Sequence, residues 1–496
     1  MKKHRPIKVT LTMDKNNYHD QVYACWVGKN IGGTIGAPYE GTHDTLDIKG
    51  FTTEPGVPCP NDDLDLQLVW LHGVEWMGAQ AINAATLGEL WISHIDPHWN
   101  EYGISKNNLK RGLLPPLSGD YQNDWQHSNG AWIRTEIWAC LAPACPDLAA
   151  KYAMEDAMVD HGTGEGVFAA AFVAAMQSAA FVIKDLQKCI QIALAAIPEE
   201  SRMADSVRFV LHSYEQGMNP LDVRNAIQQR NADIGNGWFE APSNVAYAII
   251  GLLWGEGDFK KSMITAVNCG DDTDCTAATV GATLGILYGT KGIPDDWKQY
   301  IGDEIVTISV NRGDYRTGYS MPRTCTELTE RVIQQAPAFL LVNDSYTSIS
   351  EKESIPENLD NLLVFACNEL KERNQIIPFS TRHTSPLLSA EMCVEGGPEI
   401  APSEEKNLTV KITCNRGFTD QCYNLNLRWW LPEGFVVQDG RKTALIIGES
   451  AHSNYITTLT YKIKAGEYIE AVNRCVLEVV AEGHAIPIYI PVLLLG

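Results

Sequence analysis

Long apolar runs are missing from this chain. No stretch approaches the ~18 uninterrupted apolar residues that a membrane span requires. No apolar core follows the basic start Met1-Lys2-Lys3-His4-Arg5 before Asp14 and Lys15, so neither a membrane span nor a secretory leader is expected. Basic residues are also scarce: 39 Lys and Arg stand against 61 Asp and Glu, a net charge of −22. That balance repels nucleic acid and anionic lipid, so neither is an expected partner. Cys-x-x-Cys pairs are absent too. The 13 cysteines are odd in number and dispersed, which points to reduced thiols in a cytoplasmic protein rather than a disulfide framework. Period-two alternation is lacking before about residue 305, so residues 1–340 read as all-α.

What the chain does have is carboxylates placed at helix starts. In Asn268-Cys269-Gly270-Asp271-Asp272-Thr273-Asp274-Cys275, three aspartates fall within four positions, and a run of small residues follows from Thr276 to Ala282. Small side chains let a helix sit close to its neighbours, so this helix is expected at the centre. Carboxylates in its first turn would then stand at the rim of a buried bundle, where several anions stay ionised only with cations beside them. A hard, oxygen-liganded ion such as Mg²⁺ suits them. An acidic first turn is also what the helix dipole favours with no metal at all. The pattern repeats at Pro60-Asn61-Asp62-Asp63-Leu64-Asp65, where Leu64, Leu68 and Leu71 keep a helical period. There Asp65 reads as a solvated or capping residue.

Upstream, residues 19–37 read as a helix with Gly28, Gly32 and Gly36 along one face, a surface for close helix crossing. It ends at Ala37-Pro38-Tyr39-Glu40-Gly41, a turn bearing a carboxylate. Residues 95–127 read as an aromatic loop, and Ser128-Asn129-Gly130 opens a helix whose free N–H groups suit either an anion or an ordinary cap. Further helices fit 185–197, 201–216, 220–230 and 243–254. Thr324-x-x-Glu327 is a capping box for one more. From Asn407 the pattern changes to short β-rich runs at 408–413, 425–430, 455–461, 475–480 and 486–492, the spacing of a sandwich. The expected organisation is multidomain α+β: a helical domain over 1–340, a connector over 341–389 and a small Ig-like β-sandwich over 390–496.

Several pieces together resemble the ADP-ribosylglycohydrolases, a family that includes the dinitrogenase reductase-activating glycohydrolases. They are Gly32-Gly33-Thr34-Ile35-Gly36-Ala37-Pro38-Tyr39-Glu40, the Asp62-Asp63 pair, Gly130…Arg134, Asp160-His161 and Gly270-Asp271-Asp272-Thr273-Asp274. The likeness spans roughly residues 18–305. It implies an all-α bundle around two Mg²⁺ ions, with Mn²⁺ as the substitute, and hydrolysis of an ADP-ribosyl conjugate. By that resemblance Glu40, Asp62, Asp63 and Asp272 are catalytic. Ser128, Asn129 and Gly130 take the diphosphate, and His161 lines the pocket. The implied metal set is Asp62, Asp63, Asp272 and Asp274, completed by Asn61 and Cys275. Those last two stand where the family usually has threonine. An amide oxygen still suits a hard cation, whereas a thiol is a soft ligand. Either Thr276 or a water replaces it, or one metal site is weakened, while Asp271 adds a compensating charge.

Three activities are compatible with these residues. The first is hydrolysis of the anomeric bond of an ADP-ribosylated protein or small conjugate. The second is a glycosidase acting on a non-nucleotide furanoside or oligosaccharide, with Trp125 and Trp132 as stacking platforms or as core. The third is a binding protein that kept the fold and lost turnover. His161 reads as a ligand donor or a satisfied core histidine, and Arg134 as a phosphate contact or a salt bridge.

Overall fold

The computed structural model describes residues 11–310, 320–385, 387–414, 422–438, 440–447 and 456–496. The basic start Met1–Arg5 and Tyr455, the first residue of one expected strand, lie outside them. The chain begins with β1 (Leu11–Asp14), and Asp14 then caps α1 (Lys15–Gly36) by accepting from the N–H groups of Asn16 and Asn17. Next come α2 (Asp62–Met77), α3 (Ala84–His94), α4 (Asn100–Arg111) and α5 (Leu117–Asp120). They lead to α6 (Glu136–Leu141), α7 (Pro146–His161), α8 (Glu165–Ala180) and α9 (Leu186–Leu194). Then follow α10 (Arg202–Glu215), α11 (Pro220–Arg230), α12 (Ala241–Gly255), α13 (Phe259–Val267) and α14 (Thr273–Tyr288). The helical region closes with α15 (Asp295–Ile301) and α16 (Cys325–Val342). None of the described helices is long and apolar enough to cross a membrane.

The centre of the bundle is the crossing of α1 and α14. Every residue of α14 from Thr273 to Leu287 is buried. A Cβ at Gly28 would overlap the backbone of Gly281, one at Gly32 the backbone of Ala277, and one at Gly36 the backbone of Asp274. The glycine face is therefore the crossing surface that its four-residue spacing predicts. One core spans the helices, with Trp26, Trp70, Trp91 and Trp138 fully buried in it.

Two stretches differ from expectation. Residues 95–127 are not loop: α4 and α5 lie within them, and α4 ends on Gly112 in the left-handed conformation. Its buried face is Glu101, Tyr102, Ser105, Lys106, Asn108 and Leu109, too polar to register as an apolar stripe. Ser128–Gly130 opens no α-helix directly. A single 3₁₀ turn, Trp132–Arg134, comes first and α6 starts at Glu136.

The stretch 341–389 holds β2 (Thr347–Ser350), α17 (Leu359–Arg373) and β3 (Ser380–Thr384). β2 pairs in parallel with β1, so the helical region carries one short ladder that the all-α expectation lacked. Leu359, Leu363 and Cys367 of α17 belong to the helical core. The remaining strands are β4 (Leu388–Val394), β5 (Glu405–Cys414), β6 (Cys422–Trp430), β7 (Val436–Gln438), β8 (Arg441–Ile447), β9 (Ile456–Lys464), β10 (Val472–Ala481) and β11 (Ile488–Leu495). They form two antiparallel sheets in the orders β11-β10-β6-β8 and β3-β4-β5-β9-β7. Alternate residues such as Leu408, Val410, Ile412, Leu425, Leu427, Leu477 and Val479 fill the core between them. Leu493 and Leu495 of β11 meet Leu113, Leu117 and Tyr121 of the helical body, and the Tyr121 hydroxyl donates to Glu399 at 2.8 Å.

Candidate active site

Two backbone hydrogen bonds bring the first acidic turn to the second. The Gly41 N–H donates to the Asp271 carbonyl (2.9 Å) and the Asp271 N–H to the Thr42 carbonyl (2.6 Å). Thr273 Oγ1 adds a bond to the Gly36 carbonyl at 2.8 Å. The end of α1 is thus stitched to the start of α14, and Glu40 faces Asp272 and Asp274. Asn61 caps α2 by accepting from the Asp63 N–H at 2.7 Å, so its amide oxygen is engaged with the backbone. That cap turns Asp62 and Asp63 toward the same place.

The result is an acid cage. Glu40, Asp272 and Asp274 each present a carboxylate oxygen, and these atoms lie within 4.8 Å of one another. Asp63, Asp274 and Cys275 form a second such group with the same limit, so Asp274 belongs to both. Both oxygens of Asp63, one of Asp272 and one of Asp274 are buried without a hydrogen-bond partner. Buried carboxylate oxygens are costly to leave unmatched, and these converge on shared space. The donor set fits a hard divalent cation, apart from the sulfur of Cys275.

The electrostatics agree. The Asp274 carboxylate and partial burial push Glu40 up to about 7. Burial, with Asp274 beside it, pushes Asp62 to about 6, although the Tyr102 hydroxyl donates to it at 3.1 Å. Burial lifts Asp63 and Asp272 well above the usual carboxylate range and raises Asp274 as well. Lys29 partly offsets Asp63. Its ammonium is buried in α1 and lies 3.1 Å from Glu136.

The cage opens on a cavity of about 200 Å³ lined by Glu40, Asp62, Asp272, Asp274 and Cys275. Trp99, Tyr102, Trp125, Ile133 and Phe239 line it too, as do Glu101 and Ser128–Gly130. Asn129 is held from two sides: its amide donates to Asp272 Oδ2 at 2.6 Å, and Trp132 Nε1 donates to its oxygen at 3.0 Å. Gly130 lies so close to the Glu101 carboxylate that a Cβ there would overlap it. His161 is fully buried behind this loop, its Nε2 3.2 Å from Ser128 Oγ and its Nδ1 3.0 Å from Asp160.

Several sequence-level alternatives resolve here. Arg134 is a salt-bridge residue: it donates to Asp156 at 2.9 Å and to both Asp160 oxygens at 2.7 and 3.0 Å. It also holds the Gly130 carbonyl. Trp132 is core, while Trp125 lines the cavity. Asp65 is not solvated. It is buried and accepts from the Ile308 and Ser309 N–H groups at 2.6 Å each. Asp271 adds no charge to the cage. With φ of 66°, it turns away to accept from the Asn244 amide (2.9 Å) and the Phe239 N–H, with His43 Nδ1 at 3.1 Å.

Glu101 and Phe239 are not singled out by the sequence, and Trp99 and Tyr102 read there only as aromatics of the 95–127 stretch. Trp99 and Tyr102, three apart and followed by Lys110-Arg111-Gly112, carry the signature of a helix ending on glycine. Phe239 has no local signal. It lies in the left-handed region at φ 58° and is held there by Asp271.

Residues 14–332 match the family described as ADP-ribosylglycohydrolase. The chain belongs to that family. Among curated relatives, an ADP-ribosylarginine hydrolase, Tri1 of Pseudomonas putida (strain GB-1), is 35% identical over 54 residues, 11% of this chain and 15% of that protein. This family member thus spans less than a sixth of that relative's length in the match. The ADP-ribosylhydrolase ARH3 of Bos taurus is 19% identical over 340 residues, 58% of this chain and 91% of that protein. A solved structure titled ADP-ribosylglycohydrolase-related protein complex aligns over 65% of this chain and 98% of its own, at 21% identity and a TM-score of 0.41.

Proposed function

We propose that this chain is a divalent-cation-dependent hydrolase of ADP-ribose conjugates, cleaving the bond at the anomeric carbon of the ribose. One observation carries the reading: two groups of buried, partly unpartnered carboxylates share Asp274 at the floor of a cavity inside the family-matched region. Asp62, Asp63, Asp272 and Asp274 would hold two Mg²⁺ or Mn²⁺ ions: Asp63, Asp272 and Asp274 fall in the two overlapping groups and Asp62 lines the cavity beside them, while Asn61 supports them as a cap. When bound, such ions would grip vicinal hydroxyls and acidify a water. Glu40 stands at the cavity wall and accepts the proton of the attacking water as general base. The surrounding carboxylates favour the positive charge that develops on the sugar ring in an oxocarbenium-like transition state.

Ser128, Asn129 and Gly130 are the proposed anion-binding loop. All three line the cavity, and Gly130, without a side chain, would let a phosphate oxygen approach the backbone there. His161 supports this loop through Ser128. Twelve cysteines among the described residues are free thiols, which supports the cytoplasmic placement. The expected partner is a small or protein-borne ADP-ribosyl substrate, and the acidic surface disfavours nucleic acid and anionic membranes.

A second reading has its own support. No Lys or Arg lines the described cavity, so a furanoside or oligosaccharide without phosphate could use the same acids, with Trp99, Trp125 and Phe239 against the sugar face. ADP-ribosyl-arginine, ADP-ribosyl-serine and aryl furanosides, each assayed with and without Mg²⁺, separate the two. Release of ADP-ribose supports the first reading; turnover of plain furanosides alone replaces it with the second. Tight binding without turnover at any metal concentration would mean a family member that has lost catalysis.

A further inference from the structure

The two ligand groups are chemically unequal. The outer group offers only carboxylate oxygens: those of Asp272 and Asp274 would hold the ion, and the solvent-exposed Glu40 beside them stays free as the base. Asp63, Asp274 and Cys275 are all buried, and they place a sulfur among the oxygens. Asp63 is fully buried with neither oxygen hydrogen-bonded, and one Asp274 oxygen is equally free, so although Lys29 offsets part of the Asp63 charge, this inner position still offers unmatched oxygens to a ligand. Hard ions such as Mg²⁺ and Mn²⁺ bind thiolate poorly, whereas Co²⁺, Zn²⁺ and Cd²⁺ accept mixed sulfur and oxygen sets with rising affinity for the softer ions.

The geometry points to an asymmetric pair of cation positions: an outer, all-oxygen position that takes Mg²⁺, and an inner position where Cys275 Sγ is a direct ligand and selects a softer divalent ion. This rests on the reading that the cage holds divalent cations. It goes beyond it in assigning the sulfur a bond to the metal and the two positions different preferences. The other thiol close to the cage, Cys59, donates no atom to either group.

The test is spectroscopic and needs no substrate. The reduced full-length protein is titrated with Co²⁺ in excess Mg²⁺, following absorbance and, in parallel, calorimetric stoichiometry. The expected result is a thiolate-to-cobalt charge-transfer band that saturates at one equivalent and persists in the Mg²⁺. Cys275→Ser and Cys275→Thr should abolish the band and weaken Co²⁺ or Cd²⁺ binding at least tenfold, leaving Mg²⁺ affinity within about threefold. Cys59→Ser should leave the band intact. Stoichiometric Co²⁺ binding without the band in the wild type, or a band that Cys59→Ser removes, overturns the sulfur ligand while leaving the cation reading in place. Failure to bind either Co²⁺ or Mg²⁺ overturns both.

Discussion

The acid cage makes a sharp prediction about stability, pH and Mg²⁺. In the cation-free protein, folding lifts Glu40 from 4.5 to about 7 and Asp62 from 3.8 to about 6, and Asp63, Asp272 and Asp274 move the same way. Between those limits the folded chain holds protons that the unfolded chain has released. Stability from these groups is therefore full below about pH 4 and is lost as pH climbs through 6 and 7. A tenfold difference in proton affinity between the folded and unfolded chain is worth about 1.4 kcal/mol. For Asp62, partly open to solvent, screening leaves about 1–2 kcal/mol, or roughly 1–2 °C in melting temperature for a chain this long, and its neighbours add to this. Bound Mg²⁺ reverses the slope because it requires the ionised carboxylates. At a hundredfold excess over its dissociation constant it contributes about 2.7 kcal/mol. We expect the melting temperature in EDTA to fall by several degrees from pH 5 to pH 8, and the gain from Mg²⁺ to grow over the same range. Scanning fluorimetry at a series of pH values reads both, and Asp274→Asn should flatten both because Asp274 sits in each group. A cation-free melting temperature that is level or rising, or a Mg²⁺ increment independent of pH, would refute the cage.

Asp272→Ala should lower turnover by on the order of 10³-fold, on the scale of losing one preorganised electrostatic group, with the helical circular dichroism unchanged; wild-type rates would remove Asp272 from the mechanism. Gly32→Leu drives a side chain into the Ala277 backbone, so urea denaturation should show a loss of about 3 kcal/mol or more, while Gly50→Leu, where a Cβ meets nothing, should cost far less. Arg134→Lys cannot reproduce the fork onto Asp160 and Asp156. It should cost about 3–5 kcal/mol by leaving buried carboxylates unmatched, and a midpoint within error of wild type would show the network to be dispensable. Tyr102→Phe removes a donor to Asp62, so the Mg²⁺ affinity of the variant should weaken more at pH 6 than at pH 8 by isothermal titration.

The features written into the chain were those that depend on neighbours along it. The spacing of Gly28, Gly32 and Gly36 marks a crossing face because a helix repeats every 3.6 residues whatever surrounds it. Asn61 before Asp62-Asp63, and the Asp272 to Cys275 turn before a run of small residues, mark acid-headed helices for the same local reason. The alternation from Leu408 onward marks strands, although β3, β4, β7 and β8 passed unnoticed in stretches that carry less of it.

Direction in space was not legible. Asp271 and Asp272 are neighbours, yet a positive φ sends one to His43 and Asn244 and the other to the cage. Asp65, two residues from a proposed ligand, lies on another face of α2 and anchors Ile308 and Ser309. Glu101, Tyr102 and Phe239 reach the cavity only because α4 and the 231–240 segment fold over it. Cys275 meets Asp63 across more than two hundred residues of chain only because α1 draws α14 and α2 together. Helix phase is a property of a short segment; which faces of two segments meet depends on the packing of every helix between them.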